Sequence, residues 1–298
     1  MATAPFHTGE VGVAYAPVGL SATGGVQPYT WSVVAGALPG GLSIGSDGTV
    51  SGTPTSAGSF TFTLQVADAG NSTATIPGSV PIAAALSATL RSDCATQCSV
   101  ELGCNVCGAF GEQSGGLGPY SYALTSGQLP AGTSLSGVGL SLTGTFVGSS
   151  GYLFFTVQVT DSLGATASVT PKFMLYDHIS LSGGTCSSSY YLFPCGVSLP
   201  HSGGIPGGTP IVTVQSASGS FCTRAPTGAW VCNPSTNLPP NFSATVNGGS
   251  VLVSVPASPN YPFEYDGTVT LALADQALCG SGTYCSTTAA VKVVFAGG

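Results

Sequence analysis

The ten cysteines are the residues of this chain best placed to do chemistry. They fall in local groups: Cys94, Cys98, Cys104 and Cys107; Cys186 and Cys195; Cys222 and Cys232; Cys279 and Cys285. The first four have a spacing that could close a tetrahedral zinc site. The other six have no such arrangement and read as short disulfide loops made in an oxidising compartment, and two disulfides in the first group fit that pattern better than zinc. A redox role for Cys104-Asn105-Val106-Cys107 lacks the strand-to-helix context it needs. Gly41-Leu42-Ser43-Ile44-Gly45 has the form of a nucleophile motif, but that motif needs a strand–turn–helix elbow with a downstream acid and histidine. His7, His178 and His201 are the only histidines, and Asp177-His178 are chain neighbours that point to opposite faces of a strand. No carboxylate pair sits in an aromatic-lined setting suited to glycoside hydrolysis. The expectation is a protein without catalytic activity.

Binding chemistry is better represented. Phe221, Arg224 and Trp230 cluster around Cys222 and Cys232, and these are residue types that dominate binding hot spots. A disulfide at the base of that loop would order it in advance. Tyr190 and Tyr191, with Phe193, are bracketed by Cys186 and Cys195 and form a second aromatic loop. The competing reading packs these aromatics onto the fold as local cores. Asn71-Ser72-Thr73 and Asn241-Phe242-Ser243 fit glycosylation acceptors, to be used only in a eukaryotic host.

The elements that position these residues are strands. Helical periodicity is nearly absent, and 44 glycines oppose it. Period-two alternation is clear in Phe60, Phe62, Leu64 and Val66, and again in Leu153, Phe155, Val157 and Val159. Later runs are Val251, Val253, Val255; Val269, Leu271, Leu273; and Val291, Val293, Phe295. Such alternation predicts antiparallel sheets with one face in a core. Asp47-Gly48 and Asp266-Gly267 read as hairpin turns. Pro39-Gly40-Gly41 and Pro206-Gly207-Gly208 read as bends.

One segment is written twice. The first copy carries Gly24-Gly25, Pro28-Tyr29, Trp31, Leu38-Pro39, Gly52, Gly58 and Asp68; the second carries Gly115-Gly116, Pro119-Tyr120, Tyr122, Leu129-Pro130, Gly144, Gly151 and Asp161. Glu101-Leu102-Gly103 aligns with Glu10-Val11-Gly12. A period near 90 residues suits one β-sandwich per copy. Tyr29 and Trp31, two apart, are expected to share a face and fill the space between sheets. A weaker third copy is read in Gly207-Gly208, Pro210, Leu238-Pro239-Pro240, Asn247-Gly248-Gly249, and Gly267 through Asp275. Asp68, Asp161 and Asp275 each end the same core strand, where a carboxylate caps the following turn.

Composition narrows the class of function. Only 5% of residues are charged, against the usual quarter, and the formal net charge is −7. Lys172, Lys292, Arg91 and Arg224 are the only cations, too few and too scattered for nucleic acid or an anionic membrane surface. No apolar stretch is long enough to span a bilayer. The start at Met1 shows neither a basic segment nor an apolar core of a secretory signal. It reads as a mature chain with an added methionine, or as a protein delivered by another route such as a virion. A surface this poor in charge associates readily.

The first copy resembles the Ig-like modules of bacterial surface and secreted proteins, relatives of cadherin-like and dystroglycan-type sandwiches. The match runs from Thr8-Gly9-Glu10 through Gly24-Gly25, Pro28-Tyr29-Thr30-Trp31 and Leu38-Pro39-Gly40-Gly41 to Asp47-Gly48-Thr49-Val50-Ser51-Gly52-Thr53-Pro54 and Asp68. The second copy matches from Gly115 to Val169, with Thr145-Phe146 where Thr53-Pro54 would stand. The resemblance implies an all-β chain of tandem Ig-like antiparallel sandwiches, over residues 1–83, 84–177 and 178–298. In cadherin-like relatives, aspartates near strand ends can bind calcium, which makes Asp68, Asp161 and Asp275 weak candidates. One carboxylate per repeat cannot complete a shell of six to eight oxygens, so no metal is favoured and no cofactor is required. The expected role is a non-catalytic extracellular structural or adhesive protein, part of an appendage or coat. Partners would be copies of itself, other surface proteins or glycans. A virion-surface component and a carbohydrate-binding module are the alternatives.

Overall fold

The computed structural model describes residues 6–105, 108–188, 195–206, 210–225, 227, 229–239, 241–256, 263–274 and 286–295. Tyr190, Tyr191, Cys107, Asp275, Cys279 and Cys285 lie outside the described residues, as do Gly207 and Gly208. Within the described residues every regular element is a strand.

Three hydrophobic cores follow one another along the chain: Tyr15 to Ile82, Cys98 to Leu175, and Ile179 to Val293. Each core is roofed by a sheet of the same order. In the first, Gly9–Glu10 lies beside Thr73–Ala83, then Gly58–Ala67, then Thr30–Gly36. In the second, Cys98–Glu101 lies beside Lys172–Tyr176, then Gly151–Thr160, then Ser121–Gly127. In the third, Gly184–Ser188 lies beside Ser286–Phe295, then Phe263–Ala274, then Ile211–Arg224, with Trp230–Ser235 added at the edge. In all three, the short first strand pairs parallel with the last and the other pairs are antiparallel.

The alternation seen in the sequence is the reason these strands have an inner face. Phe62, Leu64 and Val66 are buried while Thr61, Thr63 and Gln65 between them are not. Phe155, Val157 and Val159 repeat this, and in the third sandwich Val269, Leu271 and Leu273 are buried, with Ala272 of the opposite face buried as well. Each such side chain taken fully from water stabilises its sandwich by about 1.5–3 kcal/mol. The facing sheets are smaller: Tyr15–Gly19 with Thr49–Gly52 and Leu42–Ile44 in the first, and Ser180–Leu181, Cys195–Ser202, Ser250–Val255 and Ser243–Asn247 in the third.

Three local expectations change. Asp266-Gly267 is no turn; it lies in the middle of the strand Phe263–Ala274. Gly267 faces Gly219 across the strand pair, and the fully buried Tyr265 ring packs over the gap these two leave. A Cβ at Gly267 would come within 2.7 Å of the Tyr265 hydroxyl. Asp47-Gly48, by contrast, does turn: Gly48 has φ +86° and a Cβ there would strike the Trp31 ring at 2.8 Å. Second, Tyr29 and Trp31 meet the same core at different depths, Trp31 within it and Tyr29 partly buried against it. Trp31 is buried, whereas Tyr29 precedes the strand and donates its hydroxyl to the Gly24 carbonyl at 2.6 Å. Tyr120 does the same to Gly115 at 2.9 Å. Third, the double glycine of the third sandwich is Gly203-Gly204, as its contacts below show.

Candidate functional site

The Cys222–Cys232 loop is a β-hairpin in which the two cysteines form a direct cross-strand pair, S–S 2.02 Å. Its register sets Arg224 opposite Trp230, on the same face as the disulfide. Phe221 falls on the other face and packs against the third core. The structure therefore brings Arg224 and Trp230 together and sets Phe221 apart. The Arg224 side chain is exposed and that of Trp230 is half-buried.

Two further disulfides, Cys94–Cys98 and Cys186–Cys195, are formed, and Cys104 is also disulfide-bonded. None of the described cysteines is free, so the Cys94–Cys98–Cys104 group is not arranged as a set of zinc thiolates. Ser43 of the nucleophile-like motif sits in the hairpin strand Leu42–Ile44, away from any strand-to-helix elbow. Asn71 and Asn241 occupy exposed turns at φ 64° and 56°.

Asp68 and Asp161 use both oxygens on backbone amides. Asp68 accepts from Val26 at 2.9 Å, Gly70 at 2.9 Å and Ser72 at 2.7 Å. Asp161 accepts from Leu117 at 2.9 Å, Leu163 at 3.0 Å and Ala165 at 2.8 Å. Each pins its turn to the segment just after the double glycine. Their exposure differs: Asp68 is half-buried, while Asp161 is 6% exposed. Asp161 is covered because the first sandwich docks on it.

That docking is the feature the sequence reading missed. The chain leaves the first sandwich at Ala83 and enters the second through Ala84, Ala85 and Leu86. Glu10, 1% exposed, ends the first strand beside this exit, and its Oε1 accepts the Leu86 N–H at 2.8 Å. Gly116 N–H donates to the Ala84 carbonyl at 2.9 Å. The Ser87 and Ser114 hydroxyls meet at 2.8 Å. The next junction is built the same way. Glu101, 4% exposed, accepts the Ile179 N–H. Gly204 N–H donates to the Asp177 carbonyl at 2.8 Å, and the Ser180 and Ser202 hydroxyls meet at 2.8 Å. Gly115 and Gly203, at φ +69° and +76°, run so close to the linker that a Cβ would lie 2.1 Å from the Ala85 or His178 carbonyl oxygen. Only glycine fits both that approach and that φ. The signal was present in the sequence as Glu10 aligned with Glu101, but nothing local says that a strand-end glutamate will reach into the following module.

What faces each glutamate differs. Beside Glu101 stands the His178 ring, Nδ1 to Oε1 3.5 Å, with the Cys104 sulfur 3.6 Å from Oε2. Beside Glu10 stands the Asp161 carboxyl, within hydrogen-bonding reach. Burial first, and then the bond to Asp161, push the Glu10 carboxyl up to about 6. Burial acts to raise Asp161 too, but the hydrogen bonds from Glu10 and from the Leu117, Ala165 and Leu163 amides outweigh it and hold it below the usual carboxylate range.

The outer face of the second sandwich carries an aromatic pair that the sequence reading passed over. Tyr152 and Phe154 are 60% and 54% exposed, and the Lys172 ammonium lies 4.3 Å from the Tyr152 ring centre.

No curated protein matches this chain in sequence. Among solved structures, the three N-terminal domains of the bacteriophage RB49 Highly Immunogenic Outer Capsid protein are similar at 11% identity, TM-score 0.46, over 98% of this chain and 96% of that one. The titin I-band fragment I67–I69 is similar at 8% identity, TM-score 0.36, over 97% and 95%. Mouse cadherin-23 EC22–24 is similar at 13% identity, TM-score 0.33, over 97% and 96%. Residues 2–82 match the model of the family described as Putative Ig domain, so the first sandwich is an Ig-like domain, and the sheets of the later two keep its strand order.

Proposed function

We propose that this chain is a non-catalytic structural or adhesive protein of an extracellular surface, in which the Ig-like sandwiches act as spacers and display elements within an appendage or coat. One observation carries the reading. Among the described residues the most deeply buried acids are Glu10, Glu101 and Asp161, and they sit where one sandwich meets the next: Glu10 and Glu101 each accept an amide of the following sandwich, and Asp161 faces Glu10. A chain whose scarce charged groups fasten modules end to end is built to keep a contact surface at a distance. The disulfides support an oxidising setting. No helix among the described residues is long and apolar enough to cross a membrane. The low charge and the exposed Tyr152 and Phe154 favour association with copies of the chain or with other surface proteins. Light scattering and negative-stain imaging of the purified chain test this: concentration-dependent assembly is expected, and a strictly monomeric chain at high concentration removes the assembly role.

The Arg224–Trp230 face favours a second reading, a glycan-binding module with the indole as stacking platform. A glycan array comparing the wild type with Trp230→Ala decides it. A hit lost in the variant supports this reading; no hit, or an unchanged hit, removes it.

A further inference from the structure

We propose that the junction between the first and second sandwiches is a proton-operated latch, closed when Glu10 carries a proton that it donates to Asp161 and loosened when both carboxyls are ionised. The geometry is that of a carboxyl–carboxylate pair. Glu10 belongs to the first sandwich and Asp161 to the second, and they are 1% and 6% exposed. Glu10 Oε1 is already committed to the Leu86 amide. Its Oε2 is buried and meets no donor among the described residues; what lies in reach is Asp161, whose oxygens are held in place by three backbone N–H groups. Two buried acceptors facing each other repel unless one carries a hydrogen, and only Glu10 is free of enough donors to be that one. Among the described residues Asp161 is the one charged group that acts on Glu10, and the recess on the Glu10 side, walled by Val11–Ala14, Ala85–Leu86 and Leu163–Thr166, carries no other titratable side chain.

The direction follows from the two shifts. Glu10 is raised to about 6, so its contribution to docking is complete below its ordinary value and is lost as pH rises through about 6. Asp161 is depressed, so its contribution is present above the ordinary aspartate value and is lost as pH falls through the depressed one. The latch is tightest in the mildly acidic window between the two. A change from 4.5 undocked to about 6 docked makes the docking equilibrium about eightfold larger at pH 5 than at pH 7.5.

Hydrogen exchange at the Leu86 amide of the full chain, corrected for the intrinsic pH dependence of exchange, reads this directly. It is run in chelator so that no divalent cation can take the place of the proton. The wild type is expected to lose about eightfold protection between pH 5 and 7.5, with a matching increase in radius of gyration by X-ray scattering. Glu10→Gln keeps the Leu86 acceptor and supplies a permanent donor to Asp161, so its protection should stay high and flat across that range. The Val26 amide serves as the internal control, since it is bonded within the first sandwich to Asp68, whose carboxyl its backbone donors hold below the usual carboxylate range. Flat wild-type protection at Leu86 overturns the latch, as does a Glu10→Gln chain that keeps the wild-type pH dependence. Protection at pH 7.5 that returns on adding calcium, with no response to pH, overturns it in favour of a metal.

Discussion

The two junctions of this molecule use one backbone device and two different charge pairings. In both, a strand-end glutamate accepts the first amide of the next sandwich, and the second residue of a double glycine donates to the linker. At the first junction the glutamate faces Asp161, a like charge; at the second it faces His178, which is a cation when protonated. The backbone device decides that the sandwiches dock, because it satisfies polar groups that docking would otherwise bury unpaired. The facing side chain decides under which conditions they stay docked.

The comparison is broken most severely at the glycines. Gly115→Ala and Gly203→Ala each place a Cβ 2.1 Å from a linker carbonyl at positive φ. Each should cost about 1–3 kcal/mol in backbone strain alone and uncouple its own junction. Differential scanning calorimetry should then show the affected sandwich melting apart from its neighbour. If both variants melt as the wild type does, the linker contact is not what joins the modules.

Removing a glutamate's acceptor comes next. Glu101→Ala strands the Ile179 amide in a buried setting, for an expected loss of about 1–3 kcal/mol in chemical denaturation. Glu101→Gln, which keeps the acceptor oxygen, should recover most of it.

The like-charge pairing is sharpened by Glu10→Gln. This neutral variant should be more stable than the wild type by about 1 kcal/mol at pH 7.5 and nearly equal to it at pH 5, from melts at the two pH values. The reverse ordering would mean that the ionised pair holds the junction. The smallest effect is expected from His178→Ala. The His178 side chain is 40% exposed, so its pairing with Glu101 is screened and worth about 0.2–1 kcal/mol, the range of exposed ion pairs. A loss beyond 2 kcal/mol would give that ring a larger part than solvent screening allows.

Where structure is local, the residues themselves specify it. The alternation from Phe60 to Val66 and from Leu153 to Val159 became strands with a buried face, since side-chain direction along a strand has period two whatever surrounds it. Asp47-Gly48 became a turn for the same kind of reason. Asp266-Gly267 did not, because its fate depends on Gly219 and Tyr265, which reach it only through strand pairing. Tyr152 and Phe154 were hidden by the same alternation that revealed their neighbours. Their positions in the first copy are held by Ser59 and Thr61, and the pattern of inward residues says nothing about what the outward ones carry.

The sequence by itself determined that the chain is all strand, that a sandwich is repeated, and where the inner faces lie. Those properties arise from steric periods and turn chemistry spanning a few residues. Only the tertiary structure decided that Glu10 meets Asp161, that Glu101 meets His178, and that Asp68, with the same local hydrogen bonds as Asp161, stays half-buried while Asp161 is covered. The energy of a carboxyl depends on burial and on the charge next to it, and both are set by how whole sandwiches pack rather than by the residues on either side along the chain.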